Sequence, residues 1–342
     1  MDTKPIHNSA LDARLSSALT SRDQRSIRRR LPDPETSCPK STLIDFNSND
    51  YLSLSQSPIL RDHFLKKLSE APDVLGSVGS RLLVNGRAHT ALEARLSEFF
   101  NAETALVFNS GYDANVGFFS CIPSAGDVVV CDEFIHASVH DGIRASRARD
   151  AQFSFSHNSL QDLRKVLVGL NEDRDGLRNG QNSLFLAVES LYSMDGTFAP
   201  LREIADLLDE IFPLKNAHFV VDEAHSTGIY GPQGRGRVAL FGLEDRVLAR
   251  LHTFGKALAA TGGTLLASFF DLMSFVDVMI ATAVLLTNAL IRDYLLNYAR
   301  SFIYTTSLSY ASIIAADCSF DMLTNGTAQH VSHFLCKEHT NL

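Results

Sequence analysis

The sequence predicts an α/β fold with a mostly parallel central sheet flanked by helices. Two observations carry that prediction. Near-continuous apolar, β-prone runs recur along the chain, each ending in polar residues, as strands buried on both faces do. Between them lie stretches with helical spacing, such as Leu201 to Ile211, so that strand and helix alternate. At 342 residues the chain has ample length to bury such a core.

The elements follow in order. Residues 1–40 are polar, with a short helical stretch, the basic run Arg28-Arg29-Arg30 and a proline-containing segment from Leu31 to Pro39, and read as an N-terminal arm. Leu43 to Leu54 reads as a short strand breaking into a polar turn. Gly76-Ser-Val-Gly79-Ser-Arg81 is a flexible loop that lacks the dinucleotide-binding spelling and reads as part of an active site. His89 to Phe100 repeats Leu92, Leu96 and Phe99/Phe100 at helical spacing. Ser110-Gly-Tyr-Asp-Ala-Asn115 opens an apolar stretch, where a helix N-terminus presents backbone N–H groups to a phosphate or is simply an ordinary helix start.

Four later runs share one design. Asp127 to Asp132 leads to His136, Leu184 to Glu189 leads to Ser193, His218 to Asp222 leads to His225, and Val247 to His252 leads to Lys256. In a parallel sheet, ligands bind beyond the carboxyl ends of the strands, so these polar clusters are expected to converge on one crevice.

Composition narrows the class. With 45% hydrophobic residues, 20% charged residues and a net charge of −8, the chain reads as a mildly acidic soluble protein with no nucleic-acid partner. Its five cysteines are widely spaced and form no C-x-x-C pair, which points to reduced thiols and to no metal site. The first thirty residues contain no apolar core like that of a secretory signal, so a cytoplasmic location is expected.

The chemistry centres on Lys256. An isolated lysine is most often a solvated surface charge, but this one sits in Thr253-Phe-Gly-Lys-Ala-Leu-Ala-Ala260, where small residues let a cofactor approach the backbone. Asp222-Glu-Ala-His225 could by spelling be a nucleotide-hydrolase box, yet no phosphate loop precedes it. For pyridoxal 5'-phosphate (PLP) the same residues have defined work. A carboxylate keeps the pyridine nitrogen protonated, so that the ring accepts electrons, and a histidine bonds the ring oxygen. His136 is placed to stack on such a ring, although a lone histidine is more commonly structural. Thr253 can reach a phosphate.

Together these residues resemble a known family. Asn47-Ser-Asn-Asp-Tyr-Leu52, Gly76-Ser-Val-Gly-Ser-Arg81, Ser110-Gly-Tyr-Asp-Ala-Asn115, His136-Ala-Ser138, Glu189-Ser-Leu-Tyr-Ser-Met-Asp-Gly196, Asp222-Glu-Ala-His225 and Thr253-Phe-Gly-Lys256 occur in the order found in the α-oxoamine synthases. These are fold-type I PLP-dependent transferases, and the resemblance leans toward the 8-amino-7-oxononanoate synthase branch of biotin biosynthesis. It implies that Lys256 forms the Schiff base, Asp222 pairs with the pyridine nitrogen, His225 bonds the ring oxygen and His136 stacks over the ring. It implies that Ser193 and Thr253 line the cofactor, and that Gly111 and Tyr112 give backbone contacts to its phosphate. Thr306 and Ser307 match a segment that reaches the phosphate of the other subunit, which implies a homodimer. The implied substrates are an amino acid, L-alanine, and an acyl-CoA, pimeloyl-CoA, joined with decarboxylation. Glycine C-acetyltransferase, 5-aminolevulinate synthase and serine palmitoyltransferase-like activities are the alternatives within the family. A non-catalytic homologue that binds only PLP or a partner is the alternative outside it.

Against the family pattern, residues 41–310 read as the PLP-binding large domain, with Phe269 to Ala289 as an atypical insertion. That segment is about as long as a membrane span, but Asp271, Asp277 and Asn288 argue against one, and no membrane partner is expected. Residues 311–342 read as the truncated start of a C-terminal subdomain, and the arginine expected there for the substrate carboxylate is not assignable.

Overall fold

The computed structural model describes residues 9–30, 48–260 and 282–328. The chain divides into two compact units, residues 1–47 and 48–342. In the first, helix α1 (Ala10–Gln24) starts at a capping box. There the Ser9 hydroxyl accepts from the Asp12 N–H, while the Asp12 carboxylate accepts from Ser9 N–H and Oγ.

The second unit opens on the expected polar turn. Asp50 accepts hydrogen bonds from the Leu54 and Ser55 N–H groups and from Ser55 Oγ. The strand expected just before it, from Leu43, falls outside the described residues. Helices α2 (Pro58–Glu70) and α3 (Arg87–Phe99) precede strand β1 (Thr104–Phe108) and helix α4 (Gly111–Cys121). Strand β2 (Val128–Asp132), helix α5 (Ala137–Ala145), strand β3 (Gln152–Phe155) and helices α6 (Leu160–Asp173) and α7 (Asp175–Arg178) come next. Strand β4 (Leu184–Glu189), helix α8 (Leu201–Ile211), strand β5 (Ala217–Asp222), helix α9 (Arg237–Phe241) and strand β6 (Ala249–Thr253) complete the alternation. Further along the chain come strand β7 (Ala283–Thr287) and helices α10 (Ala289–Tyr298), α11 (Arg300–Ile303) and α12 (Tyr310–Thr324).

The strands form one seven-stranded sheet in the order β1-β7-β6-β5-β4-β2-β3. Strands β3, β2, β4, β5 and β6 are mutually parallel, and β7 runs antiparallel to both β1 and β6. Burial on both faces is literal. Val128, Val130, Leu184, Leu186 and Val188 join α6 and α8 on one side, while Val129, Cys131, Phe185 and Ala187 join α4 and α5 on the other. That is why these strands read as unbroken apolar runs rather than as alternating ones.

Part of the segment read as an insertion belongs to the sheet. Ala283–Thr287 is the antiparallel strand between β1 and β6, and Ala289 starts α10, whereas residues 269–281 lie outside the described ones. Similarly, α12 packs through Ile313, Ala316, Phe320 and Leu323 into a core shared with Leu92 and Leu96 of α3. Asp317 and Asp321 on α12 receive Lys67, Arg95 and His63 from α2 and α3. Among the described residues no helix is long and apolar enough to cross a membrane.

One buried ion pair ties the Gly76–Arg81 loop to the sheet. The Arg81 guanidinium forks onto Glu93 at 3.0 and 3.1 Å, and Glu93 also accepts from the Val107 N–H of β1 at 2.9 Å. Both side chains are 7% exposed. Removing one partner strands the other charge in the core, so Glu93→Ala is expected to lower unfolding free energy by about 3–5 kcal/mol. Chemical denaturation of the two proteins measures it.

Candidate active site

Parallel strands that share a direction deliver their last residues to one edge. Asp132, Glu189, Asp222 and Thr253 end β2, β4, β5 and β6, and Glu189 and Asp222 are partners in register. Ser110, just past β1, caps α4. These strand ends share one edge of the sheet, and the Lys256, Asp222, Glu189, His225 and His136 charges are felt among one another there, whereas among the described residues Ser193 has no contact with them.

Asp222 is 8% exposed, and its carboxylate accepts from the Ala224 N–H and from Asn115 Nδ2 of α4, both at 2.9 Å. Its neighbour Glu223 turns the other way. That carboxylate is fully buried and caps the Arg237 and Val238 N–H groups, which fixes the following loop. The Asp-Glu pair of the motif therefore divides into one carboxylate for the crevice and one for the scaffold.

Lys256 sits in a tight turn after β6. The turn is closed by Ala259 N–H donating to the Lys256 carbonyl and Ala260 N–H donating to the Phe254 carbonyl, with Ala257, Leu258 and Ala260 buried beneath it. Burial pulls the Lys256 ammonium below the usual lysine range, while the Asp222 and Glu189 charges pull it back up. Burial is the larger effect, and it favours the free amine that a nucleophile needs. His225 is pushed down to about 4, first by burial and then by the Lys256 charge. It is therefore a neutral imidazole at neutral pH, and its Nδ1 lies 2.7 Å from the Tyr51 hydroxyl.

His136 is exposed toward solvent at the N-terminus of α5, where its Nδ1 accepts from the Ser138 N–H. Gly111 opens α4 directly against β6, and a Cβ there would meet Thr253 Cγ2 at 2.8 Å. The cradle at the N-terminus of α4 is thus cut to the size of a glycine. Thr253 is buried and its hydroxyl donates to the Ala224 carbonyl at 3.3 Å. Tyr112 contributes its backbone to the first turn of α4, while its exposed ring donates its hydroxyl to Asp141. Ser193 is exposed on the turn after β4, and Thr306 is exposed with its carbonyl accepting from Asn109 Nδ2. Ser307 is buried against the 76–81 loop, where its Oγ pairs with Ser77 Oγ at 2.6 Å.

These residues fit PLP. A buried carboxylate at the end of a central strand suits a pyridinium, a helix N-terminus with glycine at its first position suits a phosphate, and a desolvated lysine suits the aldehyde. Four residues of the crevice have no role readable from sequence: Asn115, Ser138, Tyr51 and Glu189. Each reaches the site through a partner far away in the chain, so spacing carries no trace of the contact. All four lie within the motifs quoted above, which mark their positions but not their partners, and Glu189 also shows as a charged residue closing an apolar run.

Comparison with known proteins gives the family and the fold. The profile of the aminotransferase class I and II family matches residues 41–330. An 8-amino-7-oxononanoate synthase of Emericella nidulans is 44% identical over 324 residues, covering 94% of this chain and 72% of that protein. An aminoacyl transferase, sphA, of Aspergillus fumigatus is 40% identical over 288 residues, covering 84% of this chain and 57% of that protein. Among solved structures, serine palmitoyltransferase of Sphingomonas wittichii superposes with a TM-score of 0.70 at 26% identity, covering 92% of this chain and 72% of that one. The 8-amino-7-oxononanoate synthase of Francisella tularensis superposes with a TM-score of 0.60 at 29% identity, covering 83% and 70%.

Glu189 is pushed up to about 8, first by burial and then by the Asp222 charge beside it. Its folded form therefore binds a proton that the unfolded form has lost, and stability declines as pH rises from the ordinary carboxylate value, 4.5, toward 8. Glu189→Gln cannot ionise and is expected to flatten that decline. Denaturation midpoints across this pH window test it, and an unchanged slope contradicts the assignment.

Proposed function

This chain belongs to the aminotransferase class I and II family, and from that premise and the geometry of its crevice we propose that it is a PLP-dependent C-acyltransferase of the α-oxoamine synthase type. Its fold is that of the fold-type I PLP-dependent transferases, and the region we assign to cofactor binding is residues 41–310. The observation that carries the reading is the convergence of Lys256, Asp222, His225 and the glycine-gated N-terminus of α4 on one strand edge.

When bound, PLP supplies an electron-accepting ring that stabilises negative charge on the α-carbon of an attached amino acid. The side chains of the chain itself do the rest. Asp222 Oδ atoms hold the proton on the pyridine nitrogen, and the Ala224 and Asn115 donors hold that carboxylate in place. Neutral His225 is the hydrogen-bonding partner of the ring oxygen, with Tyr51 bracing its far side. His136 would cover the ring, and Thr253 and Ser193 would line it. The Gly111 and Tyr112 N–H groups would hold the phosphate. Lys256 Nζ anchors the cofactor and then carries the proton taken from the substrate α-carbon.

For substrates we propose L-alanine and pimeloyl-CoA. A carbon–carbon bond forms between the amino-acid α-carbon and the acyl carbonyl, the thioester carbon–sulfur bond breaks, and the carboxylate departs as carbon dioxide. The relatives named 8-amino-7-oxononanoate synthase favour this pair. The sphA relative and the serine palmitoyltransferase fold neighbour favour a second reading, in which a different amino acid or a longer acyl chain is used. We further propose a cytoplasmic homodimer in which Thr306 and Ser307 of one protomer reach the cofactor phosphate of its partner.

Release of CoA thiol on mixing the PLP-loaded protein with alanine and a panel of acyl-CoAs tests the activity. Pimeloyl-CoA is expected to give the highest kcat/KM. Preference for another pair selects the second reading, and PLP binding with no turnover on any pair overturns the enzyme assignment. Lys256→Ala is expected to lose at least roughly 10²–10⁴-fold in turnover, the range of a removed acid–base group. Covalent capture of PLP should accelerate with pH as Nζ loses its proton. The midpoint should fall below the ordinary lysine value of 10.5, because burial lowers it. A midpoint at or above that value contradicts a desolvated lysine.

A further inference from the structure

Asn115 sits at the centre of a chain of hydrogen bonds that joins two elements of the crevice. Its Nδ2 lies 2.9 Å from Asp222 Oδ2 and 3.0 Å from Ser138 Oγ. Ser138 Oγ in turn lies 2.7 Å from His136 Nδ1. Asn115 and Ser138 are 4% and 0% exposed, so water does not compete for these groups.

The hydrogens along this chain can be assigned without ambiguity. A backbone N–H only donates, and the Ser138 N–H points at His136 Nδ1 from 3.2 Å, so Nδ1 is an acceptor. A carboxylate only accepts, so the amide of Asn115 must turn its nitrogen, not its oxygen, toward Asp222. That nitrogen carries two hydrogens, one for Asp222 and one for Ser138 Oγ. With its oxygen already accepting from Asn115, the Ser138 hydroxyl has its own hydrogen free for His136 Nδ1. Every donor in the chain has one acceptor.

The placement is built into the packing. Helix α5 lies against α4 at Gly142, where an added Cβ would meet Phe119 Cβ at 2.8 Å and the Asn115 carbonyl at 3.2 Å. A larger residue there would separate the two helices that carry Asn115 and Ser138.

We propose that Asn115 is a positioning residue. Through Ser138 it orients the ring of His136, whose Nδ1 the Ser138 N–H holds as an acceptor, and it couples that orientation to the carboxylate of Asp222. His136 then offers the crevice a hydrogen-bond donor and never an acceptor. The tautomer follows from the hydrogen bonds alone, whereas its importance for cofactor binding rests on the function proposed above.

The test is imidazole ¹⁵N NMR of the full chain, with and without added PLP, His136 being assigned by its loss in His136→Gln. The neutral ring is expected to show a protonated Nε2 and an unprotonated Nδ1. Asn115→Ala and Ser138→Ala are each expected to keep the Nε2 tautomer, which the Ser138 backbone N–H still imposes, and to weaken PLP binding by about tenfold or more through the lost hydrogen bond. Asn115→Asp, which sets a second carboxylate against Asp222, should weaken it further. A His136 protonated on Nδ1 in the unsubstituted chain overturns the proposal. So does unchanged PLP affinity in both alanine variants. The spectrum of the unsubstituted chain still tests the Nδ1 acceptor even if a variant does not fold. If the chain shows no turnover but the expected tautomer, the enzyme reading fails and this one stands.

Discussion

A carboxylate buried at the end of a central strand has to be met by donors, and the arrangement around Asp222 follows from that need. Its own chain supplies the Ala224 N–H, and α4 supplies Asn115. The remaining capacity faces the crevice, where the Lys256 charge is felt. Glu189 occupies the next strand in register and meets the same constraint differently, by retaining a proton. Of two neighbouring carboxyl groups, one is held by protein donors and the other has its proton affinity raised by burial, which limits the negative charge gathered at this edge.

The sheet makes that arrangement possible. With β2, β4, β5 and β6 parallel, each of these four ends on the same edge, and the side chains that follow arrive there without long loops. The antiparallel β7 fills the gap between β1 and β6, which brings the N-terminus of α4 beside the end of β6. Gly111 and Thr253 touch across that seam.

Much of this is legible in the sequence because burial on both faces leaves a direct mark. The runs ending at Asp132, Glu189 and Asp222 are strands ending at those residues, and Leu201–Ile211 is a helix with those bounds. What the sequence hides has two causes. Strand β7 is an apolar run that ends in no chemistry and follows an unusual stretch, so Ala283–Thr287 reads as part of an insertion, and only its pairing with two strands identifies it. Asn115, Ser138 and Tyr51 act through partners 107, 23 and 174 positions away, distances that only the fold closes. Thr306 and Ser307 stand between these cases. Their motif is readable, but Ser307 is anchored on Ser77 of its own chain, and any role toward a partner's cofactor depends on assembly.

We place the covalent anchor of the site on one lysine, Lys256, desolvated beside Asp222 and Glu189. Borohydride reduction of the PLP-treated protein, followed by proteolysis and mass spectrometry, reads that anchor directly. A pyridoxyl label is expected at one-to-one stoichiometry on the peptide containing Lys256. A label spread over surface lysines such as Lys165 and Lys215, or absent from the Lys256 peptide, would contradict it.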